Sequence, residues 1–202
     1  VTVGASFDMN TRELVAWDEE TRAKGQALCG PLPEHAEGRS VKRETRLKDI
    51  TLEDTEGGHF IESYRGTVSL QHCDDFGRMN TQFYIARYSE GSGHLWQGLG
   101  VDRQKLMESR RGSVVLEQRL NFIRDVSSGD ILIIKSALAE LGNKTVRLCH
   151  FMFNAETGVL AATSEVTAIL LDLDARKAVA FSDTEKAELA KHVCEIEKAG
   201  RR

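Results

Sequence analysis

The second half of the sequence consists of apolar segments joined by tight turns, a pattern that permits few folds. Turn sequences occur at residues 127–130 (SSGD), 142–144 (GNK) and 154–158 (NAETG), and the segments around them have the composition of strands. Strands joined by such short turns pair antiparallel, because a parallel pair needs a crossover of a dozen or more residues. The sequence therefore predicts an antiparallel sheet that ends with a long strand over residues 159–173.

A strand and a helix precede this sheet, and a second helix follows it. Residues 66–73 (GTVSLQHC) alternate apolar and polar side chains, which predicts a strand, and residues 79–90 have the length of a helix that ends before Gly91. An S-x-x-E capping box predicts a C-terminal helix over residues 183–198. One long helix against an antiparallel sheet gives an α+β fold.

Residues 1–58 are predicted to form an N-terminal appendage, and residues 59–202 the main domain. A proline-containing loop and highly charged segments set the appendage apart. The appendage also contains one copy of a short internal repeat, because FDMNTRELVAW at residues 7–17 is similar to LDLDARKAVAF at residues 171–181. Chance similarity explains this repeat as well as a duplication does. In a duplication, residues 1–28 would be the end of an earlier copy of the main domain.

Charge and cysteine content narrow the functional classes. The net charge of −4 argues against nonspecific nucleic-acid binding, which needs a basic surface. The four cysteines are far apart and form no C-x-x-C pair, so we expect a reducing, cytoplasmic environment. No apolar run has the length of a membrane span, and we expect no membrane partner.

Residues 72–91 (HCDDFGRMNTQFYIARYSEG) carry the most informative motif. They resemble the signature of hotdog-fold thioesterases of the 4-hydroxybenzoyl-CoA thioesterase type, which is D-x-D-x-x-G-H-x-N followed by a helix with aromatic residues. The second aspartate of that signature corresponds to Asp74, its glycine to Gly77 and its asparagine to Asn80.

The sequence departs from the signature at two positions, with His72 in place of the first aspartate and Arg78 in place of the histidine. The resemblance implies a hotdog fold, in which a curved antiparallel sheet wraps around one long helix. It also implies a homodimer or tetramer with active sites between subunits, or pairing with a tandem hotdog repeat. The implied activity is that of an acyl-CoA thioesterase, a hydrolase whose substrate contains coenzyme A and which needs no cofactor.

The motif contains the groups that thioester hydrolysis requires. A thioester carbonyl needs a nucleophile or an activated water, and a donor to the developing oxyanion. The resemblance assigns catalysis to Asp74, as nucleophile or general base. The helix N-terminus near Gly77 and Asn80 is expected to bind the oxyanion. Without the resemblance, the ordinary role of Asp74 or Asp75 at this position is to cap the helix.

Further residues around the motif are candidates for substrate binding. Glu117 shares a predicted strand face with Arg119 and Asn121, and it contacts the substrate if that face borders a channel. The other candidates are a cation and three apolar or aromatic side chains on or next to the predicted helix: Arg78, Met79, Phe83 and Tyr84.

Four other interpretations of these residues have to be weighed. A metal site would combine His72, Cys73 and Asp74 with Cys149 and His150, but no standard ligand spacing is present, so we predict no metal. Cys73 is expected to be a small buried side chain and not a nucleophile. A hotdog dehydratase or hydratase would pair the aspartate with His72 or His94. A hotdog module that binds acyl-CoA without hydrolysis, or serves in assembly, would account for the departures from the signature.

Overall fold

The computed structural model describes residues 6–8, 10–11, 13–31, 33, 50–194 and 196. The chain divides into two compact units, Val1–Arg39 and Ser40–Arg202. The boundary predicted at residue 58 falls inside the second unit, where Ile50 is buried in the same cluster as Phe151.

The first unit contains a β-hairpin followed by a helix. Strand β1 (Ser6–Phe7) pairs antiparallel with β2 (Leu14–Val15), and helix α1 spans Glu19–Leu28. The side chain of Asp18 caps α1 by accepting a hydrogen bond from the backbone N–H of Thr21 at 2.7 Å. No residue of α1, which the structure describes in full, is buried.

The described part of the second unit contains a six-stranded antiparallel sheet in the order β3-β5-β6-β7-β4, with β8 paired to β7. The strands are β3 (Ile61–Thr67), β4 (Arg111–Phe122), β5 (Ile131–Leu141), β6 (Thr145–Asn154), β7 (Leu160–Asp172) and β8 (Lys177–Val179). The helices are α2 (Thr81–Gly98), α3 (Arg103–Glu108) and α4 (Asp183–Ala190). The predicted antiparallel α+β architecture is confirmed. None of the described helices is long and apolar enough to cross a membrane.

The central strands of the sheet are covered on both faces, which explains their nearly continuous apolar sequence. On one face, Leu95 of α2 and Leu99, its C-cap residue, belong to a buried cluster with Leu138 of β5. On the other face, Phe151 and Phe153 of β6 belong to a separate buried cluster. Burial of side chains of this size contributes about 1.5–3 kcal/mol each, so both faces stabilise the sheet.

The strand before α2 ends earlier than the sequence predicts. β3 stops at Thr67 because its partner β5 begins opposite it, at Ile131. The chain then forms a 3-10 turn at Leu70–His72, and Leu70 is exposed instead of lying on an apolar strand face. The prediction of a strand over residues 66–73 is therefore wrong over most of its length.

Helix α2 begins two residues later than predicted and continues through the glycines that were expected to end it. Gly91 lies against β3, where an added Cβ atom would approach the backbone oxygen of Ser63 to 3.0 Å. The glycine thus allows α2 and β3 to pack closely. We attribute the continuity of the helix to this packing, which offsets the low helix propensity of glycine.

The C-terminal helix is shorter than the predicted range of residues 183–198, because α4 ends at Ala190. Its predicted capping box is present. Beyond α4, Val193 pairs with Leu138 of β5, and the backbone N–H of Cys194 donates to the carbonyl of Leu138 at 2.8 Å. This pairing is possible because β3 covers only the first half of β5, so the remaining edge accepts another segment.

Candidate active site

Residues 74–78 form a tight turn between the 3-10 turn and α2. The backbone N–H of Asp74 donates to the carbonyl of Arg78 at 2.8 Å, and the N–H of Gly77 donates to the carbonyl of Asp74 at 2.9 Å. Gly77 has a φ of +75°, in the left-handed region that favours glycine. The conformation of the turn therefore explains why the motif has a glycine at this position.

The carboxylate of Asp74 is exposed and is held through one of its oxygens. Oδ1 accepts hydrogen bonds from the backbone N–H groups of Phe76 at 2.9 Å and Arg78 at 3.0 Å. No described residue donates to Oδ2, so this oxygen is accessible to water or a ligand. The alternative role of Asp74 or Asp75 as a helix cap is wrong, because the N-cap residue of α2 is Asn80.

The N-terminus of α2 retains unused hydrogen-bond donors. The side chain of Asn80 makes no capping hydrogen bond to the helix. The backbone N–H of Phe83 donates to the carbonyl of Asn80 at 2.9 Å, whereas Thr81 and Gln82 occupy the two positions whose N–H groups have no intrahelical acceptor. These N–H groups and the helix dipole make the start of α2 a suitable place for negative charge.

The turn is anchored to the loop between β4 and β5. The backbone N–H of Met79 donates to the carbonyl of Val126 at 2.7 Å, and the N–H of Ser128 donates to the carbonyl of Gly77 at 3.0 Å. The side chain of Arg78 forms an ion pair with Asp125 in which Nη1 and Oδ2 are 3.1 Å apart. This pair accounts structurally for a cation at the position where the signature has histidine.

Apolar side chains lie behind the turn and the first part of α2. Met79 and Tyr84 are buried in a cluster with Tyr88, and Phe83 packs against it. The ring of Tyr84 makes an edge-to-face contact with Phe122 at a centroid distance of 5.0 Å. Burial raises the pKa of Tyr84, so its hydroxyl is protonated and neutral at physiological pH.

A buried cation, Arg87, fixes the residues in front of the turn. Its Nη2 lies 2.7 Å from Nδ1 of His72, and its Nη1 lies 2.6 Å from Oε2 of Glu90. A guanidinium cannot accept a hydrogen bond, so Nδ1 of His72 is the acceptor and the neutral ring carries its proton on Nε2. Sequence reasoning missed Arg87, although its position between Tyr84 and Tyr88 on the buried side of α2 was a usable signal.

The sequence pattern that defines the thioesterase-like superfamily matches residues 68–190, more than half of the chain. The chain belongs to this superfamily. The match spans the turn, α2 and the sheet from β4 to β8. The predicted family and enzyme class, a thioester hydrolase of the hotdog type, are thereby confirmed.

Individual thioesterases show the extent of the likeness. Betainyl-CoA thioesterase from Pseudomonas aeruginosa is 24% identical over 121 residues, which cover 60% of this chain and 76% of the relative. A Staphylococcus aureus protein whose structure was determined in complex with CoA matches with a TM-score of 0.60 and 18% identity, over 66% of this chain and 82% of its own. The 1,4-dihydroxy-2-naphthoyl-CoA thioesterase from Synechocystis matches with a TM-score of 0.57 and 14% identity, over 65% and 96%. The predicted hotdog fold is confirmed.

Glu117 is separated from the other candidate residues of the thioesterase site. A bulge in β4 lies directly before it. Leu120 packs on the side of the sheet that α2 covers, so the alternation of side chains puts Glu117 and Asn121 on the opposite face. On that face Asn121 donates to Oγ1 of Thr163 at 3.0 Å. The contact of Glu117 with the substrate stays a prediction.

The cysteines and histidines that suggest a metal site have other partners or are inert. The thiol of Cys73 is half-buried and donates to the carbonyl of Ser69 at 3.5 Å. Burial raises the pKa of Cys149 to about 12 and lowers the pKa of His150 to about 4, and Nδ1 of His150 is 2.8 Å from Oγ of Ser136. Among the residues that the structure describes, no group of three or more metal-binding side chains occurs.

His94 lies too far from Asp74 to act with it in the same chain. It borders an open pocket of about 570 Å³ beside the C-terminal half of α2, together with Glu90 and Asp102. His94 lies 13 positions after the first residue of α2, a distance of about 20 Å along the helix axis. This geometry disfavours a dehydratase or hydratase that uses His94, and none of the predicted site residues lines this pocket.

Proposed function

We propose that the protein hydrolyses acyl-CoA to a free acid and coenzyme A, with Asp74 as the catalytic carboxylate. The observation that carries this proposal is the exposed Asp74 carboxylate on a turn that leads directly into the uncapped N-terminus of α2. A carboxylate and a set of N–H donors lie within one short segment, as thioester hydrolysis requires. Betainyl-CoA thioesterase and the CoA complex of the Staphylococcus protein support acyl-CoA as the substrate class.

As a general base, Asp74 accepts a proton from water, and the hydroxide attacks the thioester carbon. The N–H groups of Thr81 and Gln82 stabilise the negative charge on the carbonyl oxygen. Cleavage of the C–S bond then releases the CoA thiolate, which takes up the proton from Asp74. As a nucleophile, Asp74 instead attacks the thioester carbon and forms an anhydride with the acyl group, while the C–S bond breaks and the CoA thiolate leaves. Water then hydrolyses the anhydride to the free acid and the Asp74 carboxylate, and the proton that this step releases is taken up by the thiolate. Neither route uses a metal or a redox cofactor.

The residues around the turn divide into polar and apolar substrate contacts. Arg78 is one-third exposed and shares its guanidinium with Asp125, so we propose that its remaining donors contact a polar group of the substrate. We propose that Phe83, which is only partly buried, contacts the acyl chain, and that the buried Met79 and Tyr84 form the apolar layer behind it. Since Glu117 lies on the other face of the sheet, we propose that it contacts substrate only across a subunit interface.

The exposed edge of the sheet supports a homodimer. β4 is an edge strand, and it exposes the apolar side chains Val115, Leu116 and Phe122. A long edge strand with exposed apolar residues is a template for pairing with a second chain. We propose a homodimer or a dimer of such dimers, located in the cytoplasm, where four cysteines without disulfide bonds are stable.

Replacement of Asp74 by asparagine tests the catalytic assignment. The amide oxygen of asparagine can accept the same two hydrogen bonds from Phe76 and Arg78, so the turn is expected to persist. The variant loses the base and nucleophile, and we expect the rate of thiol release from acyl-CoA to fall about 10²–10⁴-fold. Thiol release is followed with a chromogenic thiol reagent across aromatic, fatty and small polar acyl-CoAs.

Asp75→Asn is the matched control, because Asp75 is the adjacent exposed carboxylate and makes no hydrogen bond to the turn. It should retain the wild-type rate. Equal rates for D74N and wild type, with both folded by circular dichroism, would refute catalysis by Asp74. Tight binding of acyl-CoA to the wild type without any thiol release would instead favour a non-catalytic module.

A further inference from the structure

The hairpin in the first unit repeats the register of the hairpin that closes the second unit. The pairs in the first are Ser6 with Val15 and Phe7 with Leu14, and those in the second are Leu170 with Val179 and Leu171 with Ala178. The same sequence offset, which aligns Asp8 with Asp172, relates every one of these pairs. The register of a hairpin is fixed by the length and conformation of its turn, so a shared register implies that the two turns have the same conformation.

The turns of the two hairpins agree in their hydrogen bonds. Oδ1 of Asp8 accepts from the backbone N–H groups two and three residues later, at 2.7 and 2.9 Å. Oδ1 of Asp172 accepts from the same two positions of its own turn, at 2.9 and 2.8 Å. The aspartate that the two segments share therefore stabilises both turns with the same pair of hydrogen bonds.

The helices that follow begin in the same way. Asp18 caps α1 with φ −62° and ψ 163°, and Ser182 caps α4 with φ −63° and ψ 162°. Each cap accepts a hydrogen bond from the N–H three residues later. Among the described residues, the agreement therefore covers the end of one strand, the turn, a second strand and the first turn of a helix.

The two copies differ in what covers them. Phe181 is 2% exposed and lies in the buried cluster beneath α2, whereas its counterpart Trp17 is 46% exposed. Leu14 and Val15 are also exposed, at 75% and 46%. Val15 and Trp17 are therefore exposed apolar side chains whose counterparts, Val179 and Phe181, pack in or against the buried cluster of the second unit.

We propose that residues 6–28 are the closing hairpin and helix of a second hotdog domain, which precedes the described one in the same polypeptide. Val15 and Trp17 pack in the core of that domain, as Val179 and Phe181 do in the second unit. The repeat itself indicates that a whole domain precedes β1. β1 corresponds to the last residues of β7, which is 13 residues long and has a paired strand on each side in its sheet. The protein is then a tandem pair of hotdog domains, and this inference does not depend on which substrate either domain hydrolyses.

The natural polypeptide provides the test. It is captured from source cells with an antibody against residues 50–194, and its mass and sequence are determined. We expect a mass above the 22.5 kDa of this chain by at least one domain, of about 100 residues or more. A mass of 22.5 kDa would overturn the proposal.

Stability measurements on that polypeptide test the packing directly. Trp17→Ala should lower its Tm by on the order of 10 °C, similar to Phe181→Ala, because both remove a large aromatic side chain from a core. Trp17→Phe, which copies the residue of the second repeat, should largely restore the Tm. Gln26→Ala is the control, since its counterpart in the second unit, Ala190, is exposed, and it should leave the Tm unchanged.

Two results would contradict the proposed packing. One is a Tm of Trp17→Ala equal to that of the Gln26→Ala control. The other is a Tm loss that disappears on dilution, which would mean that the hairpin packs on another copy of the chain and not on a preceding domain.

Discussion

Replacement of Arg87 by methionine tests whether the buried guanidinium positions the catalytic turn. A hydrogen bond from a charged donor contributes about 1.5–3 kcal/mol, and we assign this value to the contact with His72 because Arg87 is buried. The contact with Glu90 contributes little, since half of that side chain is exposed. Methionine fills the space of the side-chain stem and removes a buried charge whose Nε has no partner, which offsets part of the loss. We expect a decrease of about 1–2 kcal/mol in the free energy of unfolding.

The substitution should also reduce catalysis, because His72 and the start of α2 are connected. The carbonyl of His72 accepts a hydrogen bond from the backbone N–H of Asn80 at 2.9 Å, so a shift of His72 moves the donors that are proposed to bind the oxyanion. We expect kcat to fall about tenfold with little change in KM, since misplacement of a reacting group by 1 Å can cost up to about 10² in rate. Urea unfolding and thiol release measure the two effects.

Arg65→Met is the matched control for Arg87→Met. Arg65 also forms an ion pair with a glutamate three residues away, Glu62, but its side chain is about half exposed. Loss of such a surface pair should change the free energy of unfolding by less than about 0.5 kcal/mol and leave kcat unchanged. If the two variants have the same stability and the same kcat, the positioning role of Arg87 is refuted.

Two further predictions follow from the backbone of the turn and from the buried histidine. Gly77→Ala should lower the free energy of unfolding by about 1–2 kcal/mol in urea titrations, because the φ of +75° is unfavourable for alanine. An added Cβ atom meets no neighbour within 4 Å, so the cost is purely conformational. An unchanged midpoint of urea unfolding would contradict this prediction. Burial lowers the pKa of His150 to about 4 from 6.5, so between these pH values the unfolded chain binds a proton that the folded chain does not, and stability is lost as the pH falls. Relative to His150→Asn, the wild type should lose about 3 kcal/mol more between pH 7 and pH 4, and equal losses would show that His150 does not titrate in this way.

The parts of the fold that the sequence predicts correctly are those decided by local interactions. The turn before β5 is closed by the Asp130 side chain, which accepts from the N–H of Ser127 at 2.8 Å. In the turn after β6, the Asn154 side chain accepts from the N–H groups of Glu156 and Thr157. Each of these signals lies within four residues of sequence, so no knowledge of the tertiary structure is needed to read it.

The errors occur where a distant segment decides the outcome. β3 ends at Thr67 because β5 begins opposite it, and α4 ends at Ala190 because the residues after it pair with an open edge of β5. Gly91 continues a helix because it meets Ser63, which is far away in sequence. Periodicity and glycine content do not contain these contacts, and the boundaries that depend on them were therefore misplaced.

The candidate site shows the same division between local and distant causes. Asp74 and Gly77 could be found from the motif because the turn that they form closes within five residues, through hydrogen bonds of their own segment. Arg87 could not, because it reaches His72 across 15 positions and only the fold brings the two together. A short motif therefore identifies the carboxylate but not the cation that holds His72 next to the start of α2. In a homologue that keeps the aspartate and the glycine of the turn but replaces Arg87, we therefore expect the motif to be intact and kcat to be lower.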